Sequence, residues 1–156
     1  MNAIKVEPGC PVAGTLRYRA ADYAFATEPR PITSGASLTI NEIELMLDDL
    51  ARVVAVEGYC PHPGWRKSVL HAPVSRPGIL HVISETAVTP GVAVGIQSTA
   101  YRWAVLVDPA SGWVRLGYDA PENDRDGVEF APGAVAVLNG NSLRALWLRP
   151  QELPHL

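Results

Sequence analysis

YRWAVLVDPASGWVRLGY, residues 101–118, decides the class of fold. Two runs rich in β-branched and aromatic residues flank Asp108-Pro109-Ala110-Ser111. Asp108 can accept hydrogen bonds from turn amides and Pro109 supplies a fixed φ, so the segment reads as two antiparallel strands around a turn. Tyr101, Trp103, Val105 and Val107 share one face of the first strand, and Arg102, Ala104 and Leu106 share the other. In the second, Val114, Leu116 and Tyr118 oppose Trp113, Arg115 and Gly117, so neither face is wholly polar.

Outward from this pair the same grammar repeats. Strands are expected at 134–138 and 143–148, joined by Asn139-Gly140-Asn141-Ser142, where Asn-Gly is a strong hairpin signal. RKSVLHAP and GILHVIS flank Ser75-Arg76-Pro77-Gly78 and read as another hairpin. Further strands are expected at 92–96 and 4–6. Residues 15–27 have strand-like residues interrupted by Ala20 and Ala21, and EPRPITSGAS (28–37) reads as loop. The 13 glycines and 14 prolines are spread along the chain and favour many short elements.

A helix is expected over about 40–54. Thr39 and Glu42 have capping-box spacing, and Ile43, Leu47, Leu50, Ala51 and Val54 line one stripe at helical intervals. Glu42, Glu44, Asp48 and Asp49 precede Arg52, the order that suits the helix dipole. Gly58 closes the region, although ARVVAVEGY (51–59) can turn strand-like from Val53 because its adjacent valines are ambiguous. The expected fold is therefore mainly β, shading into α+β. It is a single antiparallel sheet, strongly coiled or partly closed as a small barrel, with one amphipathic helix packed on a face or end. At 156 residues the chain has the length of one domain, 1–156.

Composition excludes several roles. Apolar residues make up 47% and charged ones 19%, enough to bury a core. Net charge is -3 and the 13 basic residues are scattered, which argues against nucleic acid and against an anionic membrane surface. No apolar run reaches the roughly 18 residues of a membrane span, and the first residues lack an export signal, so a cytoplasmic home is the default. Cys10 and Cys60 are then expected as reduced thiols.

Candidate chemistry concentrates between Cys60 and His81. If the SRPG hairpin forms, His71 and His81 become cross-strand neighbours, and with His62 they are candidate metal ligands. No CxxC, HExxH or His-x-His accompanies them, so metal binding is a minority reading beside that of partly exposed polar positions. Cys60 between Tyr59 and Pro61 is a candidate nucleophile beside an imidazole, or simply a small buried residue. PENDRDGVEF (121–130) lacks the register of a calcium loop and reads as a solvated acidic loop. No glycine-rich nucleotide motif and no GxSxG is present.

Four tryptophans, Trp65, Trp103, Trp113 and Trp147, lie in or beside expected strands. They can line a pocket for a mostly apolar small molecule, with Arg102, Arg115 or Arg144 holding an anionic group at its mouth; core packing is the competing explanation. The leading expectation is a small-molecule-binding or accessory domain. A small hydrolase or isomerase using His71, His81 and Cys60 is the enzyme alternative. A third is a protein-interaction or inhibitor-like module presenting Asp48, Asp49 and the loop 122–129. A free sheet edge could pair in a homodimer, and proline-rich flanks could block it.

Overall fold

Short apolar runs punctuated by glycine, proline and Asx turns become strands along the whole chain in the computed structural model, which describes residues 3–10, 12–83, 89–95 and 102–156. In chain order these are β1 (Ala3–Glu7), β2 (Thr15–Arg19), β3 (Ala24–Glu28), β4 (Ser37–Ile40), β5 (Ile43–Leu47), β6 (Val53–Tyr59), β7 (Arg66–Lys67), β8 (Ser75–Pro77), β9 (Ile79–Ile83), β10 (Ala93–Gly95), β11 (Ala104–Val107), β12 (Val114–Gly117), β13 (Gly127–Ala131), β14 (Ala134–Asn139) and β15 (Ser142–Leu148). Three single-turn 3-10 helices, at Ala20–Asp22, His62–Gly64 and Pro121–Asn123, are the helices among the described residues. Tyr101 and Ile96, expected in strands, lie outside the described residues.

The expected turn chemistry operates at both clear hairpins. β11 and β12 pair antiparallel with Val107 opposite Val114. Asp108 Oδ1 accepts from the amides of Ala110 (2.9 Å) and Ser111 (3.4 Å). β14 and β15 close at Asn139 opposite Ser142, with Gly140 at φ 63°, a left-handed conformation that glycine adopts without steric cost. The doubtful stretch 15–27 resolves into a third hairpin, β2–β3, whose turn contains Ala20 and Ala21.

The helix over 40–54 does not form, and the correction has a clear origin. Ile40 pairs with Ile43 across the two-residue turn Asn41-Glu42, and β5 then pairs with β6. Ile43, Leu45 and Leu47 are all fully buried, which is the period of a strand. A spacing of four residues, as from Ile43 to Leu47, satisfies both helix and strand periods. The odd interval from Leu47 to Leu50 is the discriminating one, and Leu50 is 63% exposed. Asn41 takes φ 52°, tolerated by asparagine and incompatible with a helix interior. Asp48, one of the acidic residues whose order before Arg52 suited a helix dipole, instead caps a turn by accepting from the amides of Leu50 and Arg52, both at 2.9 Å.

The single coiled sheet or barrel is also corrected. Strand order is β10-β4-β5-β6-β3-β2 in a six-stranded sheet, β7-β11-β12-β15-β14-β13-β8 in a seven-stranded one, and β1-β9 in a small third sheet; none closes. The pairs β10–β4, β7–β11 and β8–β13 are parallel. Closure is unnecessary because the two large sheets cover each other. Leu38, Ile40, Ile43, Leu45 and Leu47 of one join Val107, Val114, Leu116, Leu146 and Leu148 of the other, with Leu80 and Val82 of the small sheet, in one apolar cluster.

The outer face of the seven-stranded sheet is apolar too, and it is covered by a strap. β7 and β8 lie on opposite edges of that sheet, so residues 68–74 must cross everything between. Six inter-strand spacings of about 4.8 Å amount to roughly 29 Å measured along the sheet. The steps from Lys67 to Ser75 supply about that length only when the chain is nearly extended. The strap is accordingly taut. Leu70 is driven into a second apolar cluster with Val135, Val137, Ala145 and Trp147, and its amide donates to Asp108 Oδ2 at 3.0 Å. That bond holds the Asp108 carboxyl below the usual carboxylate range. Each end of the strap is pinned, by Ser68 N–H to Val107 O (2.9 Å) and by Gly127 N–H to Val74 O (2.8 Å).

The strap also removes the expected hairpin around SRPG. Ser75–Pro77 is committed to β13, while Ile79–Ile83 pairs with β1. Gly78 lies between, where a Cβ would stand 2.9 Å from Val128 Cγ1 and 3.2 Å from Val6 Cγ1, so any larger residue would force those valines to shift where the chain passes from one sheet to the other.

Candidate functional site

Where one end of the six-stranded sheet meets the β7–β11 edge of the seven-stranded sheet, the two layers leave a cleft of about 370 Å³. The six-stranded side contributes the turn residues Asn41 and Glu42 and the end of β6, Tyr59 and Cys60. The loop after β6 contributes Gly64 and Trp65, β7 contributes Arg66, β11 contributes Val105, and the segment leading into β11 contributes Arg102 and Trp103.

Two clamps join the layers there. Asn41 Nδ2 donates to Trp103 O and Trp103 N–H donates to Asn41 Oδ1, both at 3.0 Å. The neighbouring Glu42 receives both Arg102 guanidinium nitrogens, Nη1 on Oε1 and Nη2 on Oε2, at 2.7 Å each. The two-residue turn brings adjacent side chains to the two residues leading into β11, Arg102 and Trp103. This bidentate pairing lowers the Glu42 pKa and raises that of Arg102. β6 comes so close to the turn that a Cβ on Gly58, which sits at φ 129°, would collide with the Glu42 carbonyl.

The inner wall is aromatic. Trp65 stacks on Phe25 at 5.9 Å between ring centroids and meets Tyr18 edge-on at 4.8 Å. Its indole N–H donates to Cys60 Sγ at 3.3 Å. The Tyr18 hydroxyl donates to Cys60 O (2.7 Å) and accepts from His62 N–H (3.0 Å), locking the loop that carries both. Burial pushes the Tyr18 pKa to about 12 and the Cys60 thiol to about 11. A thiol held that high is protonated at neutral pH, which is the opposite of an activated nucleophile.

The candidates read from sequence therefore divide. Cys60, Trp65, Arg102 and Trp103 converge on the cleft, and His62 sits behind Trp65 with ring centroids 6.2 Å apart. His71 is exposed on the strap. His81 lies on β9 opposite Lys5 and bridges to Arg52, with Nδ1 3.2 Å from Glu7 Oε1. His71 and His81 are thus not partners across a hairpin. Among the described residues no group of three or more histidine, cysteine or acidic side chains is arranged to hold a metal.

Trp113 and Trp147 pack edge-to-face at 6.0 Å on the strap side of the seven-stranded sheet. Arg115 is buried near them against Asp124, Nε to Oδ2 at 3.0 Å and Nη2 to Oδ1 at 3.1 Å, and Trp147 Nε1–H donates to the same carboxylate at 2.7 Å. Arg144 bonds Asp119, which also accepts from Arg115 through its backbone carbonyl. Both arginines are engaged in internal pairing, although the buried Arg144 Nε makes no hydrogen bond among the described residues. The acidic loop likewise loses Asp124 to the interior, and Val128 and Phe130 place its second half in β13.

Asn41, Glu42, Tyr59 and Arg66 line the cleft without having been singled out from sequence. Asn41 was findable, since asparagine opening a two-residue break between Ile40 and Ile43 suits a tight turn. Arg66 carried no signal, because its position depends on which strand β7 pairs with. The chain matches no protein-family model and no curated protein sequence.

Proposed function

We propose that the chain is a small-molecule-binding domain whose site is the cleft between the two large sheets. The observation that carries this reading is the convergence of Trp65, Trp103 and Tyr59 with three charged side chains around one concavity of about 370 Å³. Apolar walls with a few fixed polar groups are the general character of ligand pockets, and this volume falls at the small end of their range. The cross-layer clamps support it further, because they hold the walls in place before a ligand arrives. Two unpaired cysteines favour a reducing compartment such as the cytoplasm.

The hydrolase or isomerase alternative draws no support from the high thiol pKa of Cys60 or the separate strands of His71 and His81. The protein-interaction alternative loses part of its acidic surface to the Asp48 turn and to buried Asp124.

Gly64 offers the direct test. Gly64 lines the cleft and a Cβ there meets no atom within 4 Å, so Gly64→Leu adds bulk at the cleft wall without disturbing the core. A panel of small bicyclic aromatic compounds, followed by two-dimensional NMR, should shift amides of residues 41–42, 59–66 and 102–105. Those shifts should vanish in Gly64→Leu at unchanged melting temperature. Shifts that map instead to residues 113 and 147, or that survive the substitution, would overturn the proposal.

A further inference from the structure

We propose that the ligand of this cleft carries a single negative charge and that Arg66 receives it. The inference rests on the reading of the cleft as a small-molecule site and adds the ligand's chemistry. Its charged lining consists of Glu42, Arg66 and Arg102. Glu42 and Arg102 neutralise one another through two bonds of 2.7 Å, which occupies the guanidinium edge that would otherwise grip an anion. Arg66 is exposed and has no ion-pair or hydrogen-bond partner for its side chain among the described residues. The cleft thus holds one uncompensated positive charge on a chain whose net charge is -3. A local positive site on an acidic surface concentrates small anions at that point.

Several features restrict the charge to one. Lys67, the next residue of β7, projects from the opposite face of the strand and does not line the cleft. A second negative group would meet the Glu42 carboxylate, which is kept ionised by Arg102. The remainder of the wall, Tyr59, Trp65, Trp103 and Val105, suits a flat apolar body. The chemical class is therefore an aromatic or alicyclic monocarboxylate or its monoanionic equivalent. Arg66 is the residue that separates it from neutral molecules of the same shape.

The matched probes are 2-naphthoate and 2-naphthamide, which differ in charge and scarcely in shape. Quenching of tryptophan fluorescence reads binding, since Trp65 and Trp103 line the cleft while Trp113 and Trp147 provide a constant background. Naphthoate should bind at least about tenfold more tightly than the amide, and the margin should shrink as salt is raised. Arg66→Gln should abolish the margin between naphthoate and amide; Arg66→Lys should retain most of it. Because Arg66 is exposed on a two-residue edge strand, neither variant threatens folding.

A second variant tests the charge count. Glu42→Gln releases Arg102, and its preference should move toward naphthalene-2,6-dicarboxylate. Equal binding of naphthoate and naphthamide, both blocked by Gly64→Leu, would overturn the charge assignment and leave the cleft reading intact. Failure of both probes to bind would overturn the two together. A margin that persists in Arg66→Gln would overturn the role of Arg66.

Discussion

Replacing Asp124 by alanine should strip the buried Arg115 of its counter-charge and cost a large part of the fold's stability. The side chains of Arg115 and Asp124 are 1% and 0% exposed, and the carboxylate also accepts from the Trp147 indole. Breaking a buried pair from one side typically costs about 3–5 kcal/mol, because the remaining ion stays desolvated. Asp119 lies 3.4 Å from Arg115 Nη2 and compensates in part, which places the expected loss near ~3 kcal/mol. For a chain of this length each kcal/mol lowers the melting temperature by about 2–4 °C, giving a fall of roughly 6–12 °C. Urea denaturation and calorimetry measure both quantities. The double variant Arg115→Met with Asp124→Leu removes both desolvation penalties and should recover to within about 2 kcal/mol of the parent, the residue reflecting the orphaned indole N–H. A loss below about 1 kcal/mol for Asp124→Ala, or a double variant as unstable as the two single losses added together, would refute the account.

Leu70→Ala should cost about 2–4 kcal/mol in urea unfolding, as expected for a cavity under the strap, and should make residues 68–74 the first site of limited proteolysis. Iodoacetamide at pH 8 should label the native chain once, at exposed Cys10, and twice only after denaturation, as mass spectrometry would show; native double labelling would contradict the burial of Cys60. The folded pKa values of Cys60, raised from 9.0 to about 11, and of Tyr18, raised from 10.0 to about 12, mean that the native state holds these protons longer than the unfolded chain does. Stability should therefore be intact below pH 9 and fall progressively from there to about pH 12, measurable as urea midpoints across that range. Gly58→Ala should destabilise by about 1–3 kcal/mol, since it combines φ 129° with a collision at the Glu42 carbonyl, and NMR should show the Glu42 and Arg102 resonances displaced.

At two hairpins the strand and turn signals within a few residues of one another were sufficient. Asp108-Pro109 and Asn139-Gly140 each carry their own instructions, and the strands beside them pair as expected. The segment 40–54 misled because the interval of four between Ile43 and Leu47 belongs to both periods, and acidic residues preceding Arg52 suit a helix dipole while Asp48 equally suits a turn. The SRPG segment misled differently. Its local signal for a bend is genuine, but the strand before it is held by β13 once the strap has crossed the sheet.

For the candidate site, the residue types were legible and their grouping was not. Cys60, Trp65, Arg102 and Trp103 could be named from sequence, yet so could Trp113, Trp147 and Arg115, which end away from the cleft, on the strap side of the seven-stranded sheet. By itself the sequence determined a mainly β chain of short strands and the turns at Asp108-Pro109 and Asn139-Gly140, because these depend on backbone preferences and periodicity over a handful of residues. Only the tertiary structure decided which face each tryptophan occupies, which arginine is buried against Asp124 and which is left exposed at the cleft. Those outcomes depend on the pairing of strands far apart in sequence, where contact energies are summed over whole sheets and no local signal records the result.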